Sequence, residues 1–231
     1  MNIIFEDNSI IVINKPSGVA SQSANITQKD CVSLIKEHLK KENPKIKGEP
    51  YVGIVHRLDQ PVSGVMVYAK TQKAAANLSK QVQTDVMNKK YLALCEGEIK
   101  GESTYEELRN YIYKDAKNSK SIIVKDKNKA PGGVKVQEAI LRFKTIRYYE
   151  KEDVTLLDIS LVTGRFHQIR CQLSEMGHPI VNDKKYGSKM TFTSDFTDED
   201  MICGKGISLK AYELTFIHPD TGKKEIYTIK S

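Results

Sequence analysis

Short apolar runs separated by turn residues recur along the whole chain and predict a large β-sheet. Runs of four to ten residues that are rich in β-branched and aromatic side chains favour strands here. The clearest alternation lies in residues 154–162, where Leu157, Ile159 and Leu161 share one side of the predicted strand. The strands predicted in this way are residues 9–14, 65–70, 91–96, 121–124, 136–143, 154–162, 207–216 and 225–229.

Three segments instead have apolar side chains three and four residues apart, which predicts amphipathic helices. The first is expected to open at Thr27, with Asp30 at the spacing of a capping box. The second is expected to start at Thr71. The third is expected to run from about Gly164 to Met176, with Gly177 as its C-terminal stop.

The balance of these elements predicts the fold class. Strands outnumber helices and several connections are short enough for hairpins, so we expect an α+β fold with a mixed, mostly antiparallel central sheet flanked by helices and loops. At 231 residues the chain is expected to form a single domain, residues 1–231. Residues 100–120 and 186–205 lack a clear period and are expected to be mobile loops.

The charge balance bears on the kind of partner. Lysine and arginine number 36 against 29 aspartates and glutamates, which gives a formal net charge of +7. This excess favours a polyanion such as RNA, although lysine-rich solubility explains it equally well. The sequence has neither a signal peptide pattern nor an apolar run as long as a membrane span. A cytoplasmic protein that does not bind membranes is therefore expected.

The cysteines and histidines argue against a metal site. Cysteines in a C-x-x-C pair would suggest zinc, but the four in this chain are scattered and are expected to be buried thiols. They are Cys31, Cys95, Cys171 and Cys203. The histidines lie in unrelated segments and the carboxylates are not clustered, so a metal-dependent nuclease or deaminase is not favoured.

Residues 56–64 are the most informative segment, with the sequence His-Arg-Leu-Asp-Gln-Pro-Val-Ser-Gly. Pro61 and Gly64 exclude a regular helix here, so Asp59 is expected to lie on a rigid loop. An aspartate before a proline turn is commonly a residue that caps backbone groups. Composition alone therefore leaves both a structural and a catalytic role open for Asp59.

Several stretches, in the same order, resemble the RluA-type pseudouridine synthases. Residues 56–59 resemble the His-Arg-Leu-Asp signature of that family, and residues 163–170, Thr-Gly-Arg-Phe-His-Gln-Ile-Arg, resemble its third block. The further stretches that match are residues 11–18, 90–97, 177–180, 183–187 and 209–219. Because these matches span nearly the whole chain, it is identified as a member of that family.

The resemblance implies an RNA pseudouridine synthase that isomerises specific uridines in ribosomal or transfer RNA. The reaction breaks the bond between C1′ and N1, turns the uracil and joins C1′ to C5, so it needs no cofactor and no metal. An ionised carboxylate beside the ribose can act as a nucleophile, as a base or as a stabiliser of positive charge at C1′, and the sequence fits all three. RNA is the expected partner, and a monomer is expected.

The resemblance also assigns roles to individual residues. It implies Asp59 as the catalytic carboxylate, Arg165 at the start of the third helix as its ionic partner, and Tyr91 against the uracil. A buried carboxylate would otherwise tend to take up a proton. Arg57 resembles the arginine that fills the gap left by the flipped nucleotide. The remaining substrate contacts are expected from His56, Lys90, Ile169, Leu209, Lys15, His167 and Arg170.

Each of these residues also has an ordinary structural alternative. The basic residues could be solvated surface or supporting groups, and Tyr91, Ile169 and Leu209 could simply pack in the core. The chain departs from commoner family versions at Gln60-Pro61-Val62, where they have Arg-x-Thr, and at Phe166, where they have Thr. Both departures change residues expected near the substrate, so they bear on target choice.

Two further readings of the sequence predict different features. An RNA-binding module without activity would be expected to lose the aspartate or the arginine, and both are present. A glycosidase usually needs two carboxylates, and only Asp59 stands out. Since the first family motif begins within a dozen residues of Met1, a stand-alone catalytic domain without an S4 domain is expected.

Overall fold

The computed structural model describes residues 1–23, 28–45, 47–101, 104–192 and 206–229. The chain divides into two compact units, which are described separately here. The first unit comprises Met1–Lys89 with Ala211–Lys230, and the second comprises Lys90–Lys210. The expectation of a single domain over residues 1–231 stays a prediction.

In the described ranges, strands dominate both units, and three α-helices accompany them. The helices are α1 (Cys31–Glu42), α2 (Gln72–Gln83) and α3 (Gln168–Glu175). The strands are β1 (Asn2–Glu6), β2 (Ile10–Lys15), β3 (Gly53–Ile54), β4 (Ser63–Ala69), β5 (Asn88–Glu96), β6 (Glu106–Asp115), β7 (Lys120–Val124), β8 (Gln137–Tyr149), β9 (Val154–Leu161), β10 (Leu209–Ile217) and β11 (Lys224–Thr228).

In the first unit the strand order is β1-β2-β4-β10, with β3 paired to β4 and β11 paired to β10. The pairs β1–β2, β2–β4, β3–β4 and β10–β11 are antiparallel. Apolar side chains of β2, β4 and β10 pack against the inner face of α2, which stabilises this sheet by removing apolar surface from water. The buried residues of this cluster are Ile10, Val12, Val65, Val67, Ala69, Ala74, Leu78, Met87, Leu214, Phe216 and Tyr227.

In the second unit the order is β5-β9-β8-β6-β7, and the pairs β9–β8, β8–β6 and β6–β7 are antiparallel. Helix α3 packs against β7, where the Cys171 thiol donates to the Ser121 carbonyl at 3.2 Å. The predicted α+β fold with a mixed, mostly antiparallel sheet and flanking helices is confirmed.

The helix ends follow capping chemistry. The Thr71 hydroxyl accepts a hydrogen bond from the Ala74 amide at 3.1 Å, which confirms the predicted start of α2. For α1 the predicted start is wrong: Thr27 lies outside the described residues, and Asp30 is the N-cap, accepting from the Ser33 amide at 2.7 Å. Gly177 ends α3 with a φ of +87°, as predicted.

The start of α3 and one of the expected loops differ from the prediction. Helix α3 begins at Gln168 and not near Gly164, because His167 adopts a left-handed conformation with a φ of +48°. Residues 100–120 are not one irregular loop, since β6 occupies Glu106–Asp115 and pairs with both β7 and β8. In the other expected loop, residues 193–205 lie outside the described residues.

The remaining expectations concern the state of the cysteines and the apolarity of the helices. Cys31, Cys95 and Cys171 are free and buried, as predicted, and Cys203 lies outside the described residues. Among the helices of the described ranges, none is long and apolar enough to cross a membrane.

Candidate active site

Asp59 lies on the loop between β3 and β4, residues 55–62, as the proline and glycine of this segment predict. The Val62 amide donates to the Asp59 carbonyl at 3.0 Å and closes a turn over Gln60 and Pro61. The Asp59 side chain is half-buried, while Leu58 before it is buried. The turn therefore fixes the backbone of Asp59 between the buried Leu58 and the exposed Gln60.

Lys15 connects this loop to the segment that follows β2. Its buried ammonium donates to the carbonyls of Pro16 at 3.0 Å, Val19 at 2.7 Å and Gln60 at 3.2 Å. The Gly18 amide also donates to the Gln60 carbonyl, at 2.8 Å. Burial lowers the pKa of Lys15 to about 8, partly opposed by the charges of Cys31 and Asp59.

A buried serine fixes the residue before the aspartate. The Ser21 hydroxyl donates to the Leu58 carbonyl at 2.7 Å and accepts from the Leu58 amide at 3.1 Å, so it satisfies both backbone groups of that residue. A second serine, Ser17, donates to the Pro61 carbonyl at 2.8 Å. Together with Lys15, these hydroxyls determine the conformation of the loop on both sides of Asp59.

His56 has a supporting position at the start of the loop. Its ring is buried, and Nε2 accepts a hydrogen bond from the Val67 amide of β4 at 3.1 Å. Burial, helped by the nearby charge of Lys89, holds the pKa of His56 well below its usual range. The ring is therefore neutral at neutral pH. Arg57 beside it is exposed.

Arg165 lies on the loop that joins β9 to α3, residues 162–167. The side-chain carbonyl of Gln168 accepts from the Thr163 hydroxyl at 2.8 Å and from the Arg165 amide at 3.0 Å. The Arg165 Nε donates to the carbonyl of Glu138 on β8 at 3.0 Å. These bonds fix both the backbone of Arg165 and the Nε end of its side chain within the second unit.

His167, also expected to contact RNA, forms an aromatic cluster at the N-terminus of α3. Its Nδ1 lies 3.0 Å from the Tyr186 hydroxyl, which accepts from the Ser121 amide at 2.7 Å. Its ring stacks on Phe166 with centroids 3.8 Å apart. The left-handed backbone of His167 is what brings both neighbours within reach of the ring.

Arg170 forms a buried ion pair. Its Nε and a terminal nitrogen donate to the two carboxylate oxygens of Asp183 at 2.6 and 2.9 Å. Its guanidinium also lies over the Tyr186 ring, 5.0 Å from the centroid. Arg170 thus ties α3 to the turn at residues 183–187, and its direct contact with RNA stays a prediction.

The other predicted residues belong to the second unit. Tyr91 is buried and Lys90 is half-buried, both on β5, and Ile169 on α3 is buried. Leu209 is also buried; it begins β10, two residues before the rest of that strand continues in the first unit at Ala211. Asp59, Arg57, His56 and Lys15 belong to the first unit. The pairing of Asp59 with Arg165 and the lining of a uracil pocket stay predictions.

The supporting residues Ser21, Gln168 and Tyr186 were missed in the sequence. Ser21 and Leu58 are 37 positions apart, and an isolated serine carries no periodic signal. Gln168 stands inside the matched residues 163–170, so its likeness to the family could have marked it for a role. Within the described ranges, no group of three or more histidines, cysteines, aspartates or glutamates is arranged to hold a metal ion.

Comparison with known families tests the resemblance found in the motifs. Residues 9–175 match the family described as RNA pseudouridylate synthase. The chain belongs to this family. The membership predicted from the motifs is therefore confirmed.

Curated pseudouridine synthases resemble the chain over most of its length. It is 34% identical to an uncharacterized RNA pseudouridine synthase of Aquifex aeolicus, covering 100% of this chain and 69% of that protein. It is 33% identical to the ribosomal large subunit pseudouridine synthase C of Buchnera aphidicola, with coverages of 96% and 65%. It is 32% identical to the tRNA pseudouridine(31) synthase of Saccharomyces cerevisiae, with coverages of 82% and 47%. The chain thus spans between about half and two thirds of these relatives.

Solved structures support the fold. The human RNA pseudouridylate synthase domain containing 1 has a TM-score of 0.71 at 20% identity, covering 100% of this chain and 83% of that one. The human RNA pseudouridylate synthase domain containing 4 has a TM-score of 0.70 at 20% identity, with coverages of 99% and 88%. The pseudouridine synthase fold is therefore shared across this sequence distance.

Proposed function

We propose that this chain converts specific uridines in RNA into pseudouridine, with Asp59 as the catalytic carboxylate. Membership of the pseudouridine synthase family supports the reaction. The observation that carries the residue assignment is the fixation of the Asp59 loop by the buried Lys15 and Ser21. A carboxylate that is half-exposed on a rigid loop can meet a substrate with little loss of conformational freedom.

The reaction assigns a simple task to each group. The bond between C1′ and N1 breaks, the uracil turns while it stays bound, and a bond forms between C1′ and C5. The proton on C5 is lost and N1 takes one up, so the product is an isomer. Asp59 supplies the negative charge beside C1′, Arg165 keeps that charge in place, and Tyr91 packs against the uracil.

The target RNA is proposed to be ribosomal or transfer RNA, read by a monomer in the cytoplasm. Relatives in this family are named for the large ribosomal subunit and for tRNA, which supports both classes. Arg57 is exposed beside Asp59, and we propose that it fills the stack when the uridine is flipped out. Unstacking costs a few kcal/mol, which phosphate contacts and stacking in the pocket offset.

Replacing Asp59 by asparagine tests the assignment. Asp59→Asn removes the charge and keeps the shape, so we expect pseudouridine formation to be lost while the protein still folds. Pseudouridine would be mapped chemically in ribosomal and transfer RNA from cells that lack the protein and re-express either form. Asp85→Asn, the same change at an exposed position, is the control and should restore the map. Identical maps with and without the wild-type protein would contradict the proposed function.

A second substitution tests the arginine. Arg165→Met keeps much of the side-chain volume and removes the charge, so we expect turnover to fall by about 100-fold or more, in proportion to lost electrostatic stabilisation. The control is Arg142→Met, which removes an exposed arginine of β8. Near-normal turnover by Arg165→Met would show that Asp59 does not depend on this arginine.

A further inference from the structure

An exposed aromatic ring stands at the beginning of α3, next to Arg165 in the chain. Phe166 is 36% exposed, and its carbonyl accepts a hydrogen bond from the Ser121 hydroxyl of β7, which fixes the backbone. One face of the ring stacks on His167 at 3.8 Å. The Lys114 ammonium lies over the ring, 4.7 Å from its centroid, and must occupy the other face. We call Phe166, His167 and Lys114 the Phe166 platform.

The platform continues into a basic hairpin formed by β6 and β7. Residues 111–127 contain five lysines and two aspartates. Both aspartates are engaged by backbone amides: Asp115 accepts from Lys117 and Asn118, and Asp126 accepts from Asn128. Lys120 lies over the Tyr186 ring at 5.5 Å. The end of the hairpin therefore carries positive charge above aromatic rings.

The other end of β6 carries a basic residue whose charge, unlike that of Lys114, is paired within the protein. Arg109 pairs with Glu107 at 2.9 Å and with Glu138 at 2.8 Å. Lys114 and Lys120 form no salt bridge with any carboxylate of the described ranges. Their charge is thus left for an external anion, while the charge of Arg109 is neutralised inside the protein.

We propose that the Phe166 platform binds single-stranded RNA by stacking one unpaired base on the Phe166 ring, with Lys114 and Lys120 on the neighbouring phosphates. The lysine over the ring is a flexible side chain, so a base can take its place while the ammonium moves to a phosphate. Base stacking on an aromatic ring and lysines along the backbone are the two features of single-strand recognition. This proposal rests on the proposed function and adds a contact that helps choose the target.

Charge alone would also attract an acidic protein segment, but the ring argues for RNA. An acidic peptide offers carboxylates to the lysines and nothing that needs an exposed phenyl ring. A nucleic acid strand offers phosphates and flat bases at alternating positions, which matches an exposed ring with a lysine over it and a second lysine over the Tyr186 ring. An unpaired base is required, because a base inside a helix has no free face.

The chain contains no tryptophan, so one can be introduced as a direct reporter of stacking. Phe166→Trp would be titrated with the 12-mer r(UC)6, which cannot pair with itself, and with a 12-mer of the same length that lacks its bases. We expect r(UC)6 to quench the indole fluorescence and the abasic strand to leave it unchanged. Ile146→Trp, at an exposed position of β8, is the control and should not be quenched by either.

Affinity measurements separate the ring from the lysines. Fluorescence anisotropy with labelled r(UC)6 should give a Kd for Phe166→Ala that is roughly 5- to 150-fold higher than wild type, which corresponds to about 1–3 kcal/mol. Phe166→Tyr should restore wild-type affinity because it keeps the ring. Lys114→Gln should reduce the slope of log Kd against log salt by about 0.7, the value of one phosphate contact. Phe166→Ala should leave that slope unchanged.

The outcomes distinguish this proposal from the proposed function. Equal Kd values for wild type and Phe166→Ala, equal quenching at positions 166 and 146, or quenching by poly-glutamate and not by RNA would each overturn the platform. Any of these results could occur while Asp59→Asn still abolished pseudouridine in mapped RNA, and the proposed function would then stand. Unchanged maps would contradict the proposed function whatever the Phe166 variants did.

Discussion

The loop that carries Asp59 and the loop that carries Arg165 both leave a strand, but they are fixed in different ways. Around Asp59, side chains from a distant segment bind the loop backbone: Lys15 and Ser21 satisfy its carbonyls from inside the protein. Around Arg165, the Gln168 side chain of the next helix binds the Arg165 amide and the Thr163 hydroxyl, and the Ser121 hydroxyl of β7 binds the Phe166 carbonyl. The first loop is held by side chains of one earlier segment, and the second by the adjoining helix together with a neighbouring strand.

The difference teaches what each loop can present to a substrate. The buried contacts around Asp59 leave few conformations open, which suits the proposed role of a carboxylate that meets one atom of the substrate. The contacts around Arg165 leave the Phe166 ring partly exposed. The Asp59 loop should therefore lose its conformation when one of its buried hydrogen-bonding groups is removed. The Arg165 loop should lose its conformation when α3 loses the ion pair that anchors it.

The largest expected effect is on that anchor, the ion pair of Arg170 and Asp183. Both side chains are buried, so Asp183→Asn leaves the arginine charge uncompensated and should lower the free energy of unfolding by about 3–5 kcal/mol. Glu138→Gln is the control, since it breaks a half-exposed pair with Arg109 and should cost less than about 1 kcal/mol. Urea denaturation of both variants would measure this, and equal losses would contradict the buried role of Asp183.

The next effect concerns the residue that ends the Asp59 segment. Gly64 has a φ of +136°, and a Cβ placed on it would lie 2.3 Å from the carbonyl oxygen of Ala211. Gly64→Ala therefore combines a strained backbone with a clash and should cost roughly 2–4 kcal/mol. Gly133→Ala is the matched control, because Gly133 also has a positive φ but no atom near its Cβ position. Thermal unfolding that ranks the two variants equally would rule out the clash.

How much of this could be predicted from the sequence depends on whether the signal was local. Helix α2 and its Thr71 cap were predictable, because the cap and the apolar stripe lie within a few residues. Strand β6 was not, since its charged residues at positions 106, 107 and 109 hide the alternation. It forms because β7 and β8 supply hydrogen bonds on both sides and Arg109 pairs with its neighbours.

The candidate site divides in the same way. Asp59 and Arg165 are predicted from contiguous motifs that resemble the family pattern, and their catalytic roles stay predictions. Ser21 was not predictable, because its partner Leu58 is far away in the chain. The late start of α3 was not predictable either. Residues 163–167 carry no signal for a left-handed conformation at His167, and the contact of its ring with Tyr186 is made only in the folded protein.

The third prediction uses the buried ammonium as a pH probe of the Asp59 loop. The pKa of Lys15 is about 8 in the folded chain and close to 10.5 when unfolded, so between these values the unfolded chain binds more protons. The free energy of unfolding of wild type should therefore rise, relative to Lys15→Met, by at most about 3 kcal/mol as the pH increases from 8 to 10.5. Lys73→Met, at an exposed position, should follow wild type. Parallel curves for wild type and Lys15→Met would show that the ammonium is not buried.

The smallest expected effect compares the two serines that bind the Asp59 loop. Ser21→Ala leaves both backbone groups of buried Leu58 without their hydrogen bonds, and should lower the free energy of unfolding by about 1–2 kcal/mol. Ser17→Ala removes one bond to Pro61 at a half-buried position, where water can replace it, and should cost less than about 1 kcal/mol. Stability does not report the position of the Asp59 side chain, but turnover does. Since Leu58 directly precedes Asp59, Ser21→Ala should lower kcat more than KM. Ser17→Ala should change neither. A Ser21→Ala enzyme that lost stability but kept wild-type kcat would mean that the carboxylate is positioned by its turn alone, without the contact from inside the protein.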